Sequence, residues 1–156
     1  MVAAVVLFAG AAWVIVVLGT QLGTAEPTPT PPSGPLPITF GLSLDPVTLE
    51  VLDPVSNFER GDPFAYSVSP PAPPGVVYVY VEVARITSSG QEVLQPPTAQ
   101  RLLPDATSFG FQVETGRDMV PLFGYGRFVM RIYLDPQGPI YAQGRFHLVE
   151  PGLPKS

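Results

Sequence analysis

The chain has 156 residues, a formal net charge of −5 and no cysteine, which excludes disulfides, thiolate nucleophiles, zinc–thiolate sites and a lipidated cysteine anchor. One Lys and seven Arg are too few for the dense cationic surface that phosphate backbones require, so no nucleic-acid partner is expected. With 21 Pro and 15 Gly among many apolar residues, the composition points to short strands joined by turns.

The first element is an apolar run from Met1 to Gly19. As a helix, Met1 to Leu22 reaches roughly 33 Å, enough for a hydrocarbon core of ~30 Å. This predicts one N-terminal transmembrane helix within residues 1–23, which makes the membrane a partner of the chain. Small residues at Gly23, Thr24 and Ala25 would also suit a cleaved signal peptide. The run exceeds the ~7–15 residues of a signal core and has no basic residue before it, so a retained span is the favoured reading. Met1 as an internal start, with cytoplasmic chain upstream, is a further alternative. Residues 24–37 form a linker in which Glu26 to Pro37, EPTPTPPSGPLP, lacks the amide donors that a helix needs and favours an extended path. Such a stalk places a C-terminal domain outside the cell, on a single-pass protein of the cell membrane. The domain is expected at 38–150, with 151–156 as a C-terminal tail.

From Ile38 the apolar residues alternate with period two. Ile38 to Leu44 and Val47 to Val51 read as two strands parted by Asp45-Pro46, and a third runs from Gly61 to Val68. The strongest strand is Gly75 to Ile86, with Val77, Val79, Val81 and Val83 inward and Tyr78, Tyr80 and Glu82 outward. Weaker strands follow near Gln91 to Leu94 and Ser108 to Glu114. Arg127 to Asp135, with Phe128, Met130, Ile132 and Leu134 inward, pairs as a hairpin with Ile140 to Val149, whose inward set is Ala142, Gly144, Phe146 and Leu148.

Seven to eight strands with turns every ~8–12 residues predict an all-β fold, an Ig-like antiparallel β-sandwich. Phe58-Glu59-Arg60-Gly61-Asp62 before an early strand and Gly126-Arg127-Phe128 opening the penultimate one resemble the extracytoplasmic Ig-like domains of bacterial single-pass membrane proteins. The resemblance spans Ile38 to Glu150. Antibody-type marks are absent: Phe128 stands where a corner tyrosine would be, Met130 where a second cysteine would be, and no Trp follows Trp13.

No reaction centre is legible. His147, the sole histidine, lies mid-strand without a nucleophile elbow elsewhere, and Gly124-Tyr125-Gly126 lacks the Lys and helix of a phosphate loop. Asp45, Asp53, Asp62, Asp105 and Asp135 sit in turns without a calcium-ligand run. The expectation is a protein that is not an enzyme, with no metal or cofactor and no small-molecule ligand. The outward residues of three strands make the candidate contact: Tyr78, Tyr80 and Glu82; Arg131 and Tyr133; Tyr141, Gln143, Arg145 and His147. Tyr supplies stiff amphipathic area and Arg stacks or bonds bidentately, so this face suits a protein partner, with the chain as accessory subunit or sensor. The alternatives are a surface-filament subunit of archaellin or pilin type and a secreted binding module.

Overall fold

The computed structural model describes residues 34–113 and 119–152. The expected anchor at 1–23, the linker up to residue 33 and the tail beyond residue 152 lie outside the described residues. Among the described residues no helix is long and apolar enough to cross a membrane.

The fold is all-β. In chain order the strands are β1 (Leu36–Pro37), β2 (Thr39–Gly41), β3 (Asn57–Glu59), β4 (Phe64–Val68), β5 (Tyr78–Thr87), β6 (Gly90–Arg101), β7 (Phe109–Val113), β8 (Gly126–Tyr133) and β9 (Ile140–Val149), with one short helix, α1 (Met119–Phe123), before β8. The larger sheet runs β1-β9-β8-β5-β6, with β3 also on β9, and the smaller runs β2-β4-β7. Pairing is antiparallel except that the short β1 and β3 run parallel to β9.

The alternation decides which faces meet. Val79, Val81 and Val83 of β5, Phe128, Met130 and Ile132 of β8, and Ala142, Phe146 and Leu148 of β9 are all buried on the inner face of the larger sheet. Phe64, Tyr66 and Val68 of β4 meet them from the smaller sheet. Ring contacts link the layers, with centroids 5.0 Å apart for Phe64 and Phe146 and 5.2 Å for Phe40 and Phe146, while Phe128 stacks on Phe146 within the larger sheet at 5.3 Å. Each such ring pair adds ~0.5–1.5 kcal/mol beyond the area it buries. Gly144 permits this approach, because a Cβ there would lie 2.6 Å from the Phe40 ring.

Several expectations are corrected. Val47 to Val51 is no strand. The Asp45 carboxylate accepts from the backbone amides of Val47 and Thr48, both at 2.8 Å, and Leu49 stands at φ 58°, so side-chain bonding closes a tight turn in place of a ladder. Val47 is 87% exposed as a result. Of Ile38 to Leu44, Thr39–Gly41 alone forms a strand; beyond it the chain turns back, with Leu42 donating to the Asp53 carbonyl and Leu52 to that of Ser43. The hairpin so formed, residues 42–54, lies over the outer face of β4 and β7. Its Val51 amide meets Ser67 Oγ, its Leu44 amide meets Gln112 Oε1, and Gly110 has no room for a Cβ, which would stand 2.4 Å from the Tyr66 carbonyl oxygen.

Val77 precedes β5 and is 46% exposed, not inward. β6 is far longer than Gln91 to Leu94 and contains Pro96 and Pro97. As an edge strand it needs no ladder bonds on its free side. Its register with β5 shifts twice near Val83, where Gln95 Nε2 donates to the Val81 carbonyl. Leu36–Pro37, placed in the linker by composition, forms β1, and Leu134 is only half-buried. β3 and α1 were not anticipated at all.

Candidate functional site

β9, β8 and β5 are neighbours in one sheet, so the outward residues of the three strands share one surface. Register fixes their rows. Tyr80 faces Tyr133; Glu82 faces Arg131, which faces Gln143; Ala84 faces Val129, which faces Arg145; and Ile86 faces Arg127, which faces His147. Adjacent strands lie ~4.8 Å apart, so each row brings its side chains into direct contact range.

The centre of this face is fixed by Arg131. Its Nη1 lies 2.6 Å from Glu82 Oε1, and its Nη2 donates to Gln91 Oε1 on β6. The side chains of this pair are only 17% and 12% exposed, so the pair is largely withdrawn from water. Arg131 Nε is buried and has no hydrogen-bond partner among the described residues. Reaching from Glu82 to Gln91, the guanidinium spans the sheet beside Ala84 and Val129, which are 0% and 1% exposed although they lie on the outer face. Arg131 is therefore structural as much as presented. Burial pushes the Tyr133 hydroxyl up from its usual range and the charge of Glu82 adds to it, which keeps the group protonated and able to donate.

The remaining candidates divide. Tyr80 is half-buried beside Tyr133. Tyr78 is 50% exposed and lies beyond the end of β8, facing Arg101 of β6. Tyr141 is a correction: it sits where the β8–β9 register slips between Ile132 and Tyr133, and its ring packs partly against the core. Burial raises its hydroxyl pKa too. Arg145 is exposed, and His147 Nδ1 is 2.9 Å from Asn57 Oδ1, which ties it to β3. Sequence reasoning omitted Arg127, exposed beside His147, although the inward setting of Phe128 and Met130 already implied that it points out.

Elsewhere, Arg85 turns inward at the end of β5, donates to the Phe123 carbonyl at the end of α1 and lies 5.7 Å from the Phe128 ring centroid. It closes one end of the core. A cavity of about 270 Å³ between the sheets is walled by Phe64, Val83, Phe111 and Met130, with Gln95 and Gln100 on its polar side. Gln100 accepts from the Tyr66 hydroxyl, whose pKa burial drives upward. Among the described residues no cluster of three or more His, Cys, Asp or Glu is placed to hold a metal ion.

No family model matches the chain, and no curated protein matches it. Among solved structures, Pseudomonas fluorescens alkylpurine DNA glycosylase AlkC bound to DNA containing an abasic site analog is similar at 16% identity, over 73% of this chain and 29% of that one, with a TM-score of 0.32. The expectation that this chain is not an enzyme is corrected on that finding: the matched protein is an enzyme, so the exclusion is withdrawn. A likeness so slight assigns this chain neither a reaction nor a fold.

Proposed function

We propose that the chain is a membrane-anchored, extracytoplasmic Ig-like domain that docks a protein partner on the outer face of β5, β8 and β9. In this reading residues 1–23 are the anchor, 24–35 the spacer, and the β-sandwich is the presented module, an accessory subunit or sensor. The observation that supports it is the pre-set row structure of that face. Tyr80 beside Tyr133, braced by the fixed Glu82–Arg131 pair, offers aromatic area at little further entropic cost.

The test is a photoreactive amino acid placed at position 80 of the full chain in cells, with position 103 as control, since Leu103 is 70% exposed and lies off the face. Discrete protein adducts from position 80 and none from position 103 are the expected outcome. Equal adducts from both positions, or none from position 80, would remove the assignment.

A further inference from the structure

We propose that the partner of this face is a second copy of the chain, docked head to tail by its acidic hairpin 42–54. The proposal rests on the reading of the β5/β8/β9 face as a docking surface and names what it docks. Two outer sides of the same domain carry opposite charge. The hairpin over β4 and β7 bears Asp45, Glu50 and Asp53, and no Lys or Arg occurs from residue 34 to residue 57. Asp45 is fixed as the ionised form by the Thr48 and Val47 amides that it accepts from. The same hairpin exposes two apolar side chains that nothing covers among the described residues, Val47 at 87% and Leu52 at 55%.

The opposite outer side carries Arg127, Arg131 and Arg145 against two strand carboxylates, Glu82 of β5 and Glu59 of β3 at the β9 edge. Arg131 is spent on Glu82 and Gln91. Arg127 and Arg145 are exposed and make no hydrogen bond or ion pair among the described residues. Beside them the rings of Tyr80 and Tyr133 give flat apolar area. The two sides are thus complementary: exposed guanidinium groups and rings on one, carboxylates and apolar knobs on the other.

Because the two surfaces differ and lie on opposite sides, their contact is heterologous, and a lateral ring or row of this kind can keep every copy pointing the same way. That geometry suits copies rooted in one bilayer. The overall charge of −5 repels at long range, but at physiological salt charges beyond ~8 Å are screened while contacting pairs are not. Exposed ion pairs are individually weak, so the association depends on salt and on local concentration.

The test uses the full chain in detergent micelles and sedimentation equilibrium. Two variants reverse one side each: Arg127→Glu with Arg145→Glu, and Glu50→Arg with Asp53→Arg, each checked for an unchanged circular dichroism melt. The wild type is expected to associate in low salt and to lose that association by about tenfold in ~0.5 M salt. Each variant alone is expected to associate at least ~tenfold more weakly than the wild type, and a mixture of the two to recover association in equal proportion, because reversed face then meets reversed hairpin. Association that persists in both variants is anchor-driven and overturns the proposal, as does a mixture that stays apart or a wild type that stays monomeric. Those results leave the docking-face reading standing on its own test, where adducts from position 80 would then join the chain to a different protein.

Discussion

The two outer layers of the domain are built by opposite means. Over the larger sheet the surface is the sheet itself, with alternate side chains of β5, β8 and β9 presented in rows by regular register. Over the smaller sheet β4 is hidden, and what faces outward there is a hairpin held by backbone bonds, by the Asp45 carboxylate and by bonds to the side chains of Ser67 and Gln112. The comparison teaches that an exposed strand face transmits sequence directly into surface pattern, whereas a covered one depends on a few small or capping residues. Ala65 and Ser67 of β4, at 0% and 4% exposure, would be surface residues without the hairpin.

The largest break of this contrast comes from Gly110. Gly110→Val places side-chain atoms against the Tyr66 and Leu49 carbonyls, and the hairpin must lift to admit them. A loss of about 3 kcal/mol is expected, roughly a 10 °C fall in melting temperature, read by thermal denaturation. Next is Arg131→Ala, which leaves Glu82 charged, withdrawn from water and unpaired. It should cost about 2–3 kcal/mol in chemical denaturation, with Arg131→Ala plus Glu82→Ala recovering most of that loss.

Asp45→Ala acts on the hairpin alone and sharpens the contrast through pH. The folded carboxyl is held below its ordinary value of 3.8 by the Thr48 and Val47 amides, so the unfolded chain binds the proton more readily. Its stabilisation is present above that pH and lost as pH falls through the lower folded value. The variant should therefore melt below the wild type at neutral pH and together with it in strong acid. Tyr80→Ala is the smallest change. It removes presented area but no core contact, so stability should stay within ~0.5 kcal/mol while adduct formation at neighbouring face positions falls.

Legibility in the sequence followed the same division. Val79, Val81 and Val83 against Tyr80 and Glu82 declared the faces of β5, because burial of one side enforces period two. Val47, Leu49 and Val51 showed the same period, yet Asp45 offered the backbone a local partner that a pattern of apolar residues does not record. The strand expected near Gln91 to Leu94 stops short of Pro96 and Pro97, which β6 tolerates because it is an edge. At the site, the shared face of Tyr80, Glu82, Arg131 and Tyr133 was legible from alternation. The slip that withdraws Tyr141 was not, since a bulge leaves no mark in residue type. Nor was the engagement of Arg131 by Gln91, which depends on how β6 pairs.

The most direct measurement of the central claim, that the β5/β8/β9 face is where this domain meets its partner, is tyrosine-selective nitration of the full chain on cells and after purification, read by mass spectrometry. Tyr80 and Tyr133 should be protected on cells relative to the purified chain, while Tyr125, 40% exposed and ahead of the paired rows of β8, reacts equally in both. Equal nitration of Tyr80 and Tyr133 in the two states would contradict the account.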